Sequence, residues 1–105
     1  MNAISQPLAA AVDALPLPLV FRAYPNHPNP FNPTTTIRFS IPAEHRVTLT
    51  VYDLLGKPVA VLVDGQLQAG VHSTQFNGER LPSGMYFCKL QAGGHTSVQR
   101  MMLVK

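Results

Sequence analysis

Apolar and polar residues alternate along most of the chain after residue 33, which is the period of a β-strand with one buried face. The clearest example is Val47, Leu49 and Val51 against Thr48 and Thr50. The alternation, interrupted by turn residues, predicts six strands, over residues 34–41, 46–53, 59–63, 71–76, 85–91 and 96–104. No segment keeps a helical period over a useful length, apart from a short turn near residues 65–69.

Glycine-containing turns separate the predicted strands. Gly56 follows the strand over residues 46–53, where its freedom to take a positive φ suits a tight turn. Asp64-Gly65, Asn77-Gly78 and Gly93-Gly94 stand where other strands are predicted to end. Short strands with turn signals about every 8–12 residues indicate an all-β protein, built as a small antiparallel sandwich.

The N-terminal residues carry a further alternation. Leu15, Leu17, Leu19 and Phe21 share one parity, while Pro16 and Pro18 share the other. The pattern predicts an extended segment over residues 15–22 with one apolar face. Because proline has no N–H, such a strand lacks donors along one edge and cannot pair there. Residues 1–23 are therefore predicted to form an extended apolar tail, and residues 15–22 a possible seventh strand.

A proline-rich run over residues 24–33 follows the tail. Prolines at positions 25, 28, 30 and 33 bias the residues before them toward extended conformations. Asn26, Asn29 and Asn32 are available for local turns. The run is predicted to be a stiff connector that marks the start of a domain over residues 24–105.

Composition agrees with one small domain. The chain has 105 residues, 46% of them hydrophobic and 12% charged, with a net charge of +3. The basic residues form no run, so a nucleic-acid partner is not indicated. There is no apolar stretch of the length that spans a membrane as a helix. The N-terminus lacks the pattern of a signal peptide, so any export signal would have been removed or would lie outside this sequence.

Candidate chemistry is sparse. The four histidines lie far apart without metal-ligand spacing, which favours surface or turn roles over a metal site. The acidic residues sit mostly in or beside turns, and nothing indicates a cleft between a carboxylate pair. Cys88 shares its parity with Tyr86 and Leu90, so a buried and inert thiol is predicted. The alternating aromatic residues are predicted to be core. The sequence therefore predicts no enzyme and no cofactor.

Five strings, in order, resemble the C-terminal sorting domain of type IX secretion cargo and the related Ig-like domain of flagellar hook-capping proteins: PNPFNPTTTIRFSIP, VTLTVYDLLGKPVAVLVDG, AGVHSTQFNG, LPSGMYFCKLQAGG and MMLVK. The resemblance covers the chain from about Tyr24 to Lys105. Residues 1–23 have no counterpart in it. In the family the domain trails a larger cargo, whereas this sequence is almost only the domain.

The resemblance implies an Ig-like antiparallel β-sandwich of about seven strands. It also implies a non-enzymatic module that mediates export and surface attachment of cargo, with the outer-membrane secretion machinery as partner. The location implied is extracellular or at the cell surface, after passage through the periplasm. The residues expected to meet a partner lie in the tail and the last strand: Leu15, Leu17, Leu19, Phe21, Met101, Met102, Leu103, Val104 and Lys105.

An alternative hypothesis comes from the tail. An apolar strand with proline along one edge could insert into a neighbouring copy, as in donor-strand complementation. Such a head-to-tail contact does not close on itself, so it would build a filament. The proline-rich run would then be the spacer that holds the tail away from its own sandwich.

Overall fold

The computed structural model describes residues 19–105, and these residues form seven β-strands and no helix. In chain order the strands are β1 (Arg22–Ala23), β2 (Thr34–Ile41), β3 (His45–Tyr52), β4 (Pro58–Leu67), β5 (Gly70–Asn77), β6 (Gly84–Ala92) and β7 (His95–Leu103). Leu15 and Leu17 lie outside the described residues. The all-β prediction is confirmed.

Two antiparallel sheets divide the strands. One has the order β1-β2-β5 and the other the order β4-β3-β6-β7, so the chain crosses between sheets after β2, β4 and β5. Strands 1, 2 and 5 facing strands 3, 4, 6 and 7 is the arrangement of an Ig-like sandwich, in which the central strands of both sheets supply the core. The predicted Ig-like fold is therefore confirmed.

The core lies between the two sheets and is filled by the residues that the alternation placed on one face. Leu49 at the centre of β3 and Phe39 on β2 have no exposed surface. Most cross-strand neighbours on these inner faces are apolar, and the polar Thr35 on the same face of β2 is buried with a hydrogen bond to Asn26. The core contains Ala23, Phe31, Ile37, Phe39, Ile41, Val47, Leu49, Val51, Phe76, Tyr86, Cys88, Leu90, Ala92, Met101 and Leu103.

Tyr86 forms a tyrosine corner, a feature typical of Ig-like sandwiches. Its ring is buried at the start of β6, and its hydroxyl donates a hydrogen bond to the Pro82 carbonyl at 2.6 Å. In antibody domains the equivalent tyrosine stands two residues before a disulfide cysteine. Cys88 occupies that position, but it is the only cysteine in the sequence and its thiol is free. The spacing of Tyr86 and Cys88 was a sequence signal for the fold that periodicity alone did not reveal.

The prediction for β4 was wrong at its C-terminal end. The strand was expected over residues 59–63 with a turn near residues 65–69, yet it continues through Asp64 and Gly65 to Leu67. β4 is an edge strand, so a charged residue and a glycine face solvent there at little cost. Asp64 also forms an ion pair with Arg46 on β3 at 2.5 Å. The connection to β5 is instead the short segment at residues 68–69.

The proline-rich run is not a free connector. Asn26 and Phe31 are buried, and His27 forms an isolated β-bridge with Thr36 of β2. The peptide bonds that precede Pro28, Pro30 and Pro33 are cis. The run therefore belongs to the sandwich, and the expectation of a spacer that stands away from it is corrected.

We expect Leu49→Ala to lower the free energy of unfolding by about 2–5 kcal/mol, because it opens a cavity at a site with no exposed surface. Denaturant titration followed by circular dichroism measures this. Val61→Ala is the matched control on the edge strand, since Val61 is 63% exposed. It should change stability by less than about 0.5 kcal/mol. Equal losses in the two variants would contradict the assignment of the core.

Candidate functional site

The last strand and the residues after it divide into a buried and an accessible half. The side chains of Met101 and Leu103 have no exposed surface, because they point into the core. Met102 is half-buried, while Val104 and Lys105 are exposed. Of the five C-terminal residues predicted to meet a partner, these three present surface. Met101 and Leu103 instead anchor the strand from inside.

Residues 29–31, here called the clasp, bind the free edge of β7. The Phe31 N–H donates to the Met102 carbonyl at 2.9 Å, and the Val104 N–H donates to the Phe31 carbonyl at 3.0 Å. The Asn29 side chain accepts from the Met102 N–H at 3.0 Å and donates to the Arg100 carbonyl at 3.4 Å. The strand that carries the accessible residues is therefore held between β6 and the clasp.

The segment before the clasp covers the free edge of β2. The Tyr24 N–H donates to the Arg38 carbonyl at 2.9 Å, and His27 exchanges two backbone hydrogen bonds with Thr36. Arg22 and Ala23 continue the same pairing as β1. The edge of β2 is thus occupied by its own chain.

The described end of the tail lies on its own sandwich. The Val20 carbonyl accepts a hydrogen bond from the Ser40 hydroxyl. Phe21 is half-buried, packs on the core, and stacks on the His95 ring at 4.7 Å between centroids. Leu19 is half-buried as well. The proposed donor strand, residues 15–21, lies within the described residues only from Leu19 onward, and its insertion into a neighbouring copy stays a prediction.

A buried polar group explains why asparagine stands within the proline-rich run. The Asn26 Nδ2 donates to the Thr35 hydroxyl at 3.0 Å and to the Pro28 carbonyl at 3.2 Å. Thr35 in turn donates to the Pro28 carbonyl at 2.9 Å. Asn26 and Asn29 were predicted to serve local turns. Asn26 does bind the Pro28 carbonyl two residues on, but it also binds Thr35 of β2, and Asn29 binds β7. Their sequence positions carry no signal for these partners.

The residues after β7 are fixed to the loop between β5 and β6. The Lys105 N–H donates to the Ser83 hydroxyl at 3.0 Å, and its ammonium group donates to the Glu79 carbonyl. Gly78 in that loop lies against Leu103, so a Cβ there would stand 2.8 Å from Leu103 Cδ2. A larger residue at this position would therefore displace the Leu103 side chain, which is packed in the core.

Residues 19–105 hold little that could perform chemistry. They contain no group of three or more His, Cys, Asp and Glu side chains placed to bind a metal ion. They also contain no helix long and apolar enough to cross a bilayer. Cys88 is buried, and this burial raises the pKa of its thiol to about 12, which agrees with the prediction of an inert thiol.

The fold is an Ig-like sandwich in which the proline-rich run is hydrogen-bonded to β7 through the clasp. The chain belongs to the family described as the secretion system C-terminal sorting domain, whose model matches residues 24–105. The resemblance to type IX sorting domains is thereby confirmed. No curated protein matched the chain. Membership in this family implies a signal for secretion and a location outside the cell or on its surface.

Replacing Asn29 with Ala should lower the free energy of unfolding by about 1 kcal/mol, because two hydrogen bonds to β7 are lost. The Met102 amide should also exchange its hydrogen faster, which NMR or mass spectrometry can measure. Asn32→Ala is the control, since Asn32 is exposed and its side chain makes no hydrogen bond within residues 19–105. Unchanged exchange at Met102 in the Asn29 variant would show that the side chain does not hold the strand.

The thiol of Cys88 should resist labelling by a disulfide reagent at pH 8 in the folded protein and react at once after unfolding in guanidinium. The fold favours the neutral thiol, so its contribution to stability is fully present below pH 9.0. This contribution is lost as the pH rises from 9.0 toward 12. The extent of labelling is measured from the absorbance of the thiol that the reagent releases when it reacts with Cys88. Fast stoichiometric labelling of the native protein would contradict a buried thiol.

Proposed function

We propose that this protein is a non-enzymatic address module that directs attached cargo to the outer-membrane type IX secretion machinery and on to the cell surface. The match of the sorting-domain family to residues 24–105 carries the proposal. The matched range begins directly after β1 and includes all six of the later strands. The likeness thus extends over the whole sandwich except β1 rather than over a short motif.

The partner we propose is a protein of the secretion machinery that binds the folded domain. Met102 at the end of β7, with the exposed Val104 and Lys105 that follow it, supplies the accessible C-terminal surface that we assign to this partner. Both neighbours of that strand, β6 and the clasp, hold it in place, so a partner would meet a surface that is already formed. Binding such a surface costs less conformational entropy than ordering a flexible tail.

The route we propose passes through the periplasm, where the domain folds before the machinery binds it. The core supports this order, since Met101 and Leu103 of the last strand complete it. No cofactor enters the proposal. The closed core and the buried Cys88 thiol fit a binding module better than a catalyst.

Secretion of a reporter tests the proposal. Residues 1–105 are fused behind a signal peptide and a reporter enzyme and are expressed in a host that carries the type IX machinery. We expect reporter activity on intact cells or in the medium, and its loss in an otherwise identical strain without the translocon. Truncation of residues 95–105, which removes β7, is the control for a domain that cannot fold. A wild-type fusion retained inside the cell would overturn the proposal.

A further inference from the structure

One side of the sandwich is closed by the N-terminal run, whereas the opposite side is open. Ala23 of β1 and Phe31 of the clasp are buried on the closed side. On the open side, β4 ends one sheet and β5 ends the other. Among the described residues, seven apolar side chains pack on the core while staying partly exposed, and five of them belong to β4: Val59, Ala60, Leu62, Val63 and Leu67. The core is therefore covered least completely on the open side.

The edge formed by β5 lacks the features that protect the other three edges of the two sheets. Edge strands in natural proteins are usually short, irregular, charged or covered, which keeps them from pairing with other chains. β1 has two residues, and β7 is bound by the clasp near its C-terminal end. β4 contains Asp64 and changes register twice against β3. By contrast, the eight residues of β5, GVHSTQFN, include no Asp, Glu, Lys, Arg or Pro, and their register with β2 is continuous.

The register with β2 identifies the backbone groups of β5 that point outward. The Gly78 N–H donates to the Pro33 carbonyl at 2.8 Å, and these two residues extend the register that pairs Thr34 with Asn77. Hydrogen-bonded pairs alternate with non-hydrogen-bonded pairs along an antiparallel ladder. Within residues 19–105, the N–H and C=O groups without a strand partner are therefore those of every second residue of β5: Val71, Ser73, Gln75 and Asn77.

We propose that β5 pairs antiparallel with β5 of a second copy of this chain and so forms a two-fold symmetric dimer. All eight residues pair when Thr74 lies on the two-fold axis. Ser73 then stands opposite Gln75 of the second copy, and Val71 stands opposite Asn77. Each of these pairs exchanges two backbone hydrogen bonds, which gives about eight across the dimer. The two three-stranded sheets become one continuous sheet.

The chemistry of β5 favours a second copy as its partner. A free edge accepts an extended backbone, and β5 itself supplies one that is regular and unpaired on one side. The side chains of Ser73, Gln75 and Asn77 are exposed and uncharged, so the symmetric pairing brings no like charges together. A two-fold axis at β5 also places the open sides of both sandwiches next to each other, which brings the partly exposed side chains of β4 near the interface.

Charge introduced on both sides of the pairing tests the dimer in the purified full-length chain. Ser73→Lys with Gln75→Lys sets like charges directly opposite each other, and Ser73→Glu with Gln75→Glu does so with the other sign. Because one strand pair buries less surface than a standard interface, we expect the wild type to dimerise at about 10 μM to 1 mM in analytical ultracentrifugation. Each double variant should raise the dissociation constant about tenfold or more. An equimolar mixture of the two should restore the dimer, since lysine then faces glutamate.

A matched control adds the same charges on a strand far from β5. Thr96→Glu with Val98→Glu places two carboxylates at the same spacing on β7, where both side chains are exposed. This variant should dimerise as the wild type does. Circular dichroism checks that every variant is folded. If a double variant unfolds, Gln75→Pro decides, because it removes an N–H that points away from β2 and should abolish the dimer without breaking the sheet.

The remaining outcomes separate the dimer from other contacts. A wild type that stays monomeric at about 1 mM would overturn the inference, since the dimer is expected below that concentration. Double variants that associate as the wild type does, or whose mixture restores nothing, would also overturn it. Species that grow beyond two copies would indicate a head-to-tail contact in place of the closed pair. Secretion of the reporter fusion is measured separately, so failure of the dimer leaves the proposed function standing.

Discussion

The backbone pairing of Phe31 with the last strand is the constraint on which the rest of the structure depends. A two-sheet sandwich leaves edge strands whose N–H and C=O groups need partners or protection. One extended segment pairs with the free edges of two strands. Residues 20–27 pair with β2, and residues 29–31 then cross to the other sheet and pair with β7. The Phe31 ring is buried at the crossing point and packs at 5.8 Å from the Phe76 ring. The same residue thus closes an edge with its backbone and fills the core with its side chain.

This closure also shapes the surface that a partner would meet. Because Met101 and Leu103 are fixed in the core, the alternate residues of the strand are fixed in solvent. The loop that contains Gly78 fits closely around Leu103, and its Ser83 holds the backbone after the strand. In the turn between β3 and β4, the Asp53 carboxylate accepts hydrogen bonds from the N–H groups of Leu55 and Lys57 and so restrains the backbone. Accessible residues at this end of the sandwich therefore stand on rigid backbone, although they come from three separate segments of the chain.

The strands could be predicted from sequence because their inward residues alternate with polar ones. Leu49 and Phe39 show this well, since period-two burial is a local property that one strand displays by itself. The extent of β4 could not be predicted, because Asp64 and Gly65 signal a turn unless their place at a sheet edge is known. The hydrogen-bond partners of Asn26 and Asn29 could not be predicted from the sequence either. Asn29 binds β7 at the other end of the chain and Asn26 binds Thr35 beyond the proline-rich run, whereas proline-rich composition describes only local conformation.

The Asn29 contact with Arg100 joins residues separated by 71 positions. Closing a loop of that length costs chain entropy before the contact returns any stabilisation, so the order of folding events is constrained. A chain that emerges from a pore N-terminus first has Phe31 without its backbone partner until β7 has followed. The sandwich then completes in one late step. Such a domain would pass a narrow channel as an extended chain and acquire its recognisable shape only on the far side.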